Sequence, residues 1–290
     1  MGIPIVEDIG AESDVLIIGI APPGGGLPPR WRADIMRAIE MGKDIVSGLH
    51  VYLSDDPEIN ALASEHGVEI WDVRRPPKHL GVATGTCPSI PVLLTAGTDS
   101  SLGKKTTAIE IQRALRDKGI NAAFIATGQT GLMIGCEFGC VVDAVKSDFV
   151  SGAVEGMVLE AEKAGFQVAV VEGQGALNHV AYGPVAMGIL YGSKPDAVVM
   201  AHDPLRRTRA AFGNEPVPDV ADEYSTVKHL CPSTTLTGIS LVTPGMDDCE
   251  YKRQKRRYEG EFHVPVADVL RDREGLSDMV GAIIETLGLR

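Results

Sequence analysis

Runs of consecutive apolar, β-branched residues alternate along the chain with stretches patterned at helical spacing. This is the signature of parallel α/β units, whose strands are buried on both faces and so read as continuous apolar runs. The first predicted strand is Val15–Ile20, followed by a glycine- and proline-rich loop from Ala21 to Pro29. A helix over Trp31–Met41, stopped by Gly42, comes next. A strand at Asp44–Ser47, a helix at Pro57–His66 stopped by Gly67, and a strand at Val68–Asp72 complete a small open sheet. The stretch from Arg74 to Pro88 breaks the pattern and reads as a linker. Further strands are expected at Pro91–Ala96, Ala122–Ala126, Val168–Val171, Ala197–Ala201 and Gly238–Val242, with helices at Ala108–Lys118 and Leu276–Leu287. The expected architecture is α/β in two domains, residues 1–88 and 89–290, the second built on a mainly parallel sheet.

Composition removes several classes. With 44% hydrophobic and 23% charged residues the chain is too apolar to be disordered as a whole. No apolar run reaches the ~18 residues of a membrane span, and MGIPIVEDIG has neither a basic n-region nor a long apolar core. A net charge of −12 repels the phosphate backbone, and 5% aromatics are too few for a base-stacking platform. A small-molecule partner is therefore expected, with no nucleic acid and no membrane. Five cysteines, an odd count, suggest reduced thiols of a cytoplasmic protein. Cys136 and Cys140 have metal-like spacing but no second Cys/His pair, so buried thiols are expected and no metal site.

The most informative segment is Gly97-Thr98-Asp99-Ser100-Ser101-Leu102-Gly103-Lys104-Lys105-Thr106-Thr107. It follows a buried strand and opens a helix, the context a phosphate-binding loop requires. Amide groups at a helix N-terminus attract an anion, glycines let the backbone approach it, and Lys104 supplies a full charge. Two departures from G-x-x-x-x-G-K-[ST] stand out. Five residues separate Gly97 from Gly103, and Lys105 occupies the place of the magnesium-binding hydroxyl. Thr106 and Thr107 follow, turned away by about 100° per residue. Anion binding survives this change, while magnesium coordination and NTP hydrolysis are in doubt.

The spacing resembles the Gly-Thr-Asp-Thr-x-Val-Gly-Lys-Thr loop of dethiobiotin synthetase, with Asp99 at the position of a catalytically important acid. The segment Val170-Val171-Glu172-Gly173-Gln174-Gly175 is similar to the Val-Glu-Gly-Ala-Gly segment of those ligases. A carboxylate there can hold magnesium, act as a base, or serve only the dipole of a following helix. A fuller set of motifs resembles the D-glutamate N-acetyltransferase family, long catalogued as a domain of unknown function. It comprises Gly19–Gly25, Val46–His50, Gly97–Thr107, Ala126–Gly131, Asp148–Glu155, Val171–Gly175 and Asn178-His179, and spans nearly the whole chain. The resemblance implies a Rossmann-like N-terminal domain fused to a P-loop NTPase-like domain, with acetyl-CoA as co-substrate. Members of that family usually begin with an additional strand and helix before the segment equivalent to Gly2–Val6. The N-terminal sheet is therefore expected to lack an edge pair, with residues 1–12 loose.

Other candidates stand at strand ends or helix starts. Asp148 reads as a buried carboxylate that caps a helix or faces the ligand. Gln129 and Thr130 follow a strand, as cleft-lining residues do in open α/β sheets. His179 is a candidate base or substrate contact, and His202, at a strand end, a candidate substrate contact. Arg206, with Arg207 and Arg209, could pair substrate carboxylates or form a solvated helix face. The basic run Lys252–Arg257 reads as a solvated helix face or a subunit contact, and a homo-oligomer is expected. The Gly24-Gly25-Gly26 loop lacks the dinucleotide fingerprint.

Three functions follow. The first is an N-acetyltransferase acting on an acidic amino acid such as D-glutamate. Lys104 and the loop amides would hold coenzyme A phosphates, and Glu172, His179 or Asp148 would be the base. The second is an ATP-dependent ligase or kinase of the dethiobiotin synthetase type, with Asp99 and Glu172 holding magnesium. The third is a nucleotide-binding regulatory protein.

Overall fold

In the computed structural model, residues 5, 7–10, 12–22, 25–209 and 212–290 are described. Half of residues 1–12, on which the expectation of a loose start rests, lie outside them, as does Gly24 of the triple-glycine loop.

The N-terminal unit is a three-stranded parallel sheet of β1 (Val15–Ile18), β2 (Asp44–Ser47) and β3 (Ile70–Asp72), in that order. Helices α1 (Pro29–Glu40) and α2 (Pro57–His66) cover one face of it. Each helix begins at a proline, whose missing N–H costs nothing there. The α2 start is also capped by Asp56, which accepts from the Glu58 and Ile59 amides. Ile35, Ile39, Ile45, Leu49, Leu53 and Ile59 form the small core between the layers. The first strand stops at Ile18, two residues short of the expectation, before the proline-rich turn.

The larger unit is a seven-stranded, wholly parallel sheet. Its elements are β4 (Val92–Gly97), α3 (Lys104–Asp117), β5 (Ala122–Ala126), α4 (Gln129–Met133), β6 (Phe138–Gly139), α5 (Ser147–Lys163) and β7 (Val168–Glu172). Then come α6 (Gly183–Ser193), β8 (Ala197–His202), α7 (Val220–Leu230), β9 (Thr235–Leu241), α8 (Asp248–Phe262), β10 (Val266–Ala267) and α9 (Arg273–Leu287). The spatial order is β10-β9-β8-β4-β7-β5-β6. Strand β4 therefore lies between β7 and β8, and the loops after these three strands converge at one edge of the sheet. That edge is where open α/β folds bind ligands.

Strand residues alternate between two cores. Leu93, Val168, Val170 and Val199 pack against α3 and α9. Val92, Leu94, Ala169 and Val171 pack against α5 and α6, and Val198 and Met200 against α7 and α8. Helix α3 begins at Lys104, four residues before the expected start, because the loop turns straight into the first helical turn through Gly103 at φ 73°. Side chains of the Lys252–Arg257 run lie on α8, where Arg253, Lys255 and Arg257 pair with Glu250, Asp272 and Asp219. Cys140 is buried and Cys136 half-buried. Among the described residues no helix is long and apolar enough to cross a membrane.

Residues 73–91, within which the linker was expected, contain no helix or strand, but they are pinned along their length. The buried Glu155 carboxylate on α5 accepts hydrogen bonds from the Thr84 and Gly85 amides at 2.7 and 2.9 Å and from the Thr84 hydroxyl at 2.8 Å. One turn earlier, Gly152 lies so close that a Cβ there would stand 2.0 Å from the Gly81 carbonyl oxygen. Gly152→Ala would ordinarily favour a helix by about 1 kcal/mol. Here the clash outweighs that, and we expect a net loss of about 1–3 kcal/mol, read as a lower Tm. An unchanged or raised Tm would show that the strap is not seated on α5.

Candidate functional site

The loop after β4 is organised from behind. Thr98 is fully buried, with its hydroxyl 2.8 Å from His202 Nδ1 and its amide donating to the Ala201 carbonyl. The Asp99 carboxylate is buried as well, 3.0 Å from Arg206 Nη1, 3.8 Å from Arg209 Nη1 and 3.6 Å from His179 Nε2. Arg206 also donates to the Ser100 carbonyl at 2.8 Å, and Arg209 to the Asn178 carbonyl at 2.9 Å. Lys104 Nζ donates to the Asp99 carbonyl at 2.6 Å. Burial lowers the Lys104 pKa to about 8, against the pull of Glu223, Asp99 and Glu172.

In front of the loop lies an open cleft of about 650 Å³. Its floor is Ser100 to Thr106, including Gly103, Lys104 and Lys105. One wall is Gly128, Gln129 and Thr130 at the start of α4, and another is Glu172 to Gly175 after β7. Ala21, His50 and Arg74 of the N-terminal unit close the remaining side, so the cleft lies between the two units. Arg74 is buried and donates to Gln129 Oε1 at 3.0 Å and to Asp143 Oδ2 at 2.6 Å.

Glu172 is the carboxylate of greatest chemical interest. It ends β7 on the α3 side of the sheet, continuing the alternation of Val168 and Val170. Only 7% of it is exposed, and Oε2 accepts from the Thr127 and Gly128 amides at 3.0 and 3.3 Å. Burial raises its pKa to about 7, with those two amides and the charges of Lys105 and Lys104 opposing the rise. A carboxyl group at that value can take or give a proton near neutral pH.

Several residues singled out by the sequence do not reach this cleft. Asp148 is exposed in the first turn of α5, which corrects its reading as a buried carboxylate and removes it as a base. His179 is buried behind the loop, where Nδ1 accepts from the Ala181 and Tyr182 amides at 3.1 and 3.2 Å. Its proton therefore belongs on Nε2, facing Asp99, and no nitrogen is left to serve as a base. Burial lowers its pKa and the nearby Arg209 adds to the effect. His202 points to the α8 face, in step with Val198 and Met200, and packs edge-on against Tyr258. Arg206 and Arg209 clasp Asp99 and loop carbonyls, which corrects their reading as substrate contacts. Thr107 is spent on Ser240, 2.8 Å away. Gly97 lies at the end of β4, while Gln129 and Thr130 line the cleft.

Sequence reading assigned no role to Arg74, His50, Asp143, Gln174 or Tyr182, all of which line the cleft. A usable signal existed for two of them. Arg74 and His50 each lie two or three residues past the end of an N-terminal strand, at the edge where such sheets meet ligands.

Two family descriptions match the chain. "Domain of unknown function (DUF1611_N) Rossmann-like domain" covers residues 1–76, and "Domain of unknown function (DUF1611_C) P-loop domain" covers residues 81–280. The chain belongs to the DUF1611 family. A D-glutamate N-acetyltransferase from a Pseudoalteromonas species is 34% identical over 268 residues, 91% of this chain and 79% of that protein. Another of that name from Tritonibacter scottomollicae is 32% identical over 278 residues, 94% of this chain and 83% of that protein. The crystal structure of a DUF1611 family protein from Anabaena variabilis matches with a TM-score of 0.88 at 32% identity, over 94% of this chain and 80% of that one.

The position of His202 has a pH consequence. Burial depresses its pKa to about 4. A depressed histidine favours the folded state above its unfolded pKa, and that contribution is lost as pH falls through the folded value. Unfolding free energy should therefore fall between about pH 6.5 and 4 more steeply in the wild type than in His202→Gln. Parallel slopes in urea titrations across that range would refute the assignment.

Proposed function

We propose that this chain transfers the acetyl group of acetyl-CoA to the amine of an acidic amino acid, D-glutamate being the acceptor to test first. The observation that carries the reading is Glu172, a buried carboxyl group with a near-neutral pKa, facing a cleft whose floor is an anion-binding loop. The names of the two curated relatives support the reaction class.

Coenzyme A carries a pyrophosphate that the loop amides and the two lysines can hold by charge-assisted hydrogen bonds. The acceptor arrives as an ammonium ion, which is not nucleophilic. The Glu172 carboxylate takes one of its protons, and the freed amine attacks the thioester carbonyl carbon. Developing negative charge on the carbonyl oxygen needs donors, and the side-chain amide of Gln129, a cleft-lining residue, can supply one. As the tetrahedral intermediate collapses, the C–S bond breaks. The thiolate takes up the proton held by Glu172, and the nitrogen loses its second proton to solvent, leaving a neutral amide and a free thiol. Gln129 is oriented by Arg74, which ties catalysis to the seating of the N-terminal unit.

The ligase reading requires Asp99 and Glu172 to share a magnesium ion. The Asp99 carboxylate faces Arg206, Arg209 and His179, and Asp99 does not line the cleft. No observation therefore favours it over acetyl transfer.

Thiol release should be measured with acetyl-CoA and D-glutamate, L-glutamate or D-aspartate, in EDTA. Release that depends on the amino acid and disappears in Lys104→Ala is the expected result. For the accepted substrate, kcat/KM should rise with pH and level off above about 7, because the base must be deprotonated. Glu172→Gln should lose about 10²- to 10⁴-fold and the pH-dependent limb with it. Absence of thiol release with every acceptor, or an unchanged profile in Glu172→Gln, would overturn the reading.

A further inference from the structure

A P-loop ordinarily presents the hydroxyl after its lysine to a magnesium ion that bridges the bound phosphates. The residues of this chain do not fit that ion. Lys105 stands where the hydroxyl would be. Thr107 is buried against Ser240, and Thr106 lies on the far margin of the loop, where it also lines a neighbouring pocket with Ser240 and Thr243. Of the carboxylates around the cleft, Asp143 is paired with Arg74 and Asp99 is turned to Arg206, which leaves Glu172 alone. Among the described residues no group of three His, Cys, Asp or Glu side chains could hold a metal ion.

We propose that the Lys105 ammonium replaces the divalent cation, so that this loop binds the diphosphate of its ligand through two lysines and without metal. The inference deepens the acetyl-transfer reading and rests on it for the identity of the donor.

Three observations point the same way. Lys105 is half-buried and lines the cleft, and its charge helps hold down the Glu172 pKa, so its ammonium acts on the cleft side. No hydrogen bond or ion pair joins it to any described residue, whereas the Lys104 ammonium is already engaged by the Asp99 carbonyl. Finally, α3 opens with two consecutive lysines and has no acidic residue in its first turn. Positive charge at the positive end of a helix dipole is unfavourable. An anion seated there reverses the sign for both lysines at once.

The test is calorimetric titration of inorganic pyrophosphate into the full chain, once in EDTA and once in magnesium. Wild type should bind equally in both. Lys105→Thr, which restores the Gly-Lys-Thr sequence, should bind about 10- to 100-fold more weakly in EDTA and recover part of the loss in magnesium. Lys105→Arg should remain independent of metal. Wild-type binding that needs magnesium, no pyrophosphate binding under either condition, or unchanged binding by Lys105→Thr in EDTA would each overturn the inference. Comparison of melting temperatures separates a folding defect from a binding one. The outcome does not depend on turnover: an enzyme that releases no thiol from acetyl-CoA would sink the reaction and leave the pyrophosphate result standing.

Discussion

The Asp99 carboxylate, clasped from behind by Arg206 and faced by Arg209 and His179, is the interaction around which the site is built. A loop meant to wrap an anion must hold its amides in place before the anion arrives. Its own dipoles repel one another in that shape, and the flanking lysines add to the strain. One buried carboxylate with an arginine at 3.0 Å offsets that repulsion from the side away from the ligand. Arg206 then reaches the Ser100 carbonyl, so one guanidinium fixes both the acid and the backbone beside it. Residues that look catalytic in isolation are consumed in this support.

The second constraint is the seating of the small unit on the large one. The strap over residues 73–91 has no regular structure, yet Glu155 satisfies its turn amides and Gly152 admits its backbone against α5. Arg74 completes the attachment by bridging to Gln129 and Asp143. The N-terminal unit thereby contributes a wall of the cleft, and the cleft exists only when both units are in place. Its electrostatics are graded: lysines and helix amides lie at the floor, and the protonatable Glu172 lies on the wall. Anionic and cationic groups are therefore favoured in different parts of the same cavity.

Much of this architecture was legible in the sequence. A continuous apolar run located β5 to the residue, because a strand buried on both faces cannot admit polar positions; β2, with Asp44 and Ser47 at its ends and only two of its four residues buried, was also located to the residue. The phosphate loop was legible because its function needs contiguous backbone, and Glu172 because it terminates such a run. The start of α3 was missed because Lys104 to Thr107 were read as the end of the phosphate-binding loop, whereas helix geometry begins as soon as Gly103 turns the chain.

What the sequence alone determined is therefore the order of strands β1 to β5 and β7 to β9 and of helices α1, α2, α3 and α9, the family, and the two segments whose chemistry is carried by consecutive residues; the two-residue strands β6 and β10 carry too short a pattern to be read. What only the tertiary structure decided is the direction of each side chain at the strand ends. His202 continues the face of Val198 and Met200 and turns to Tyr258, Asp148 faces solvent, and Arg206 turns to Asp99. Arg74 and His50, distant in sequence, arrive at the cleft across the boundary between units. Local pattern follows from near-neighbour sterics and burial, so it survives in one dimension. Which charges face one another depends on how two separately folded surfaces pack, and that information is absent until they meet.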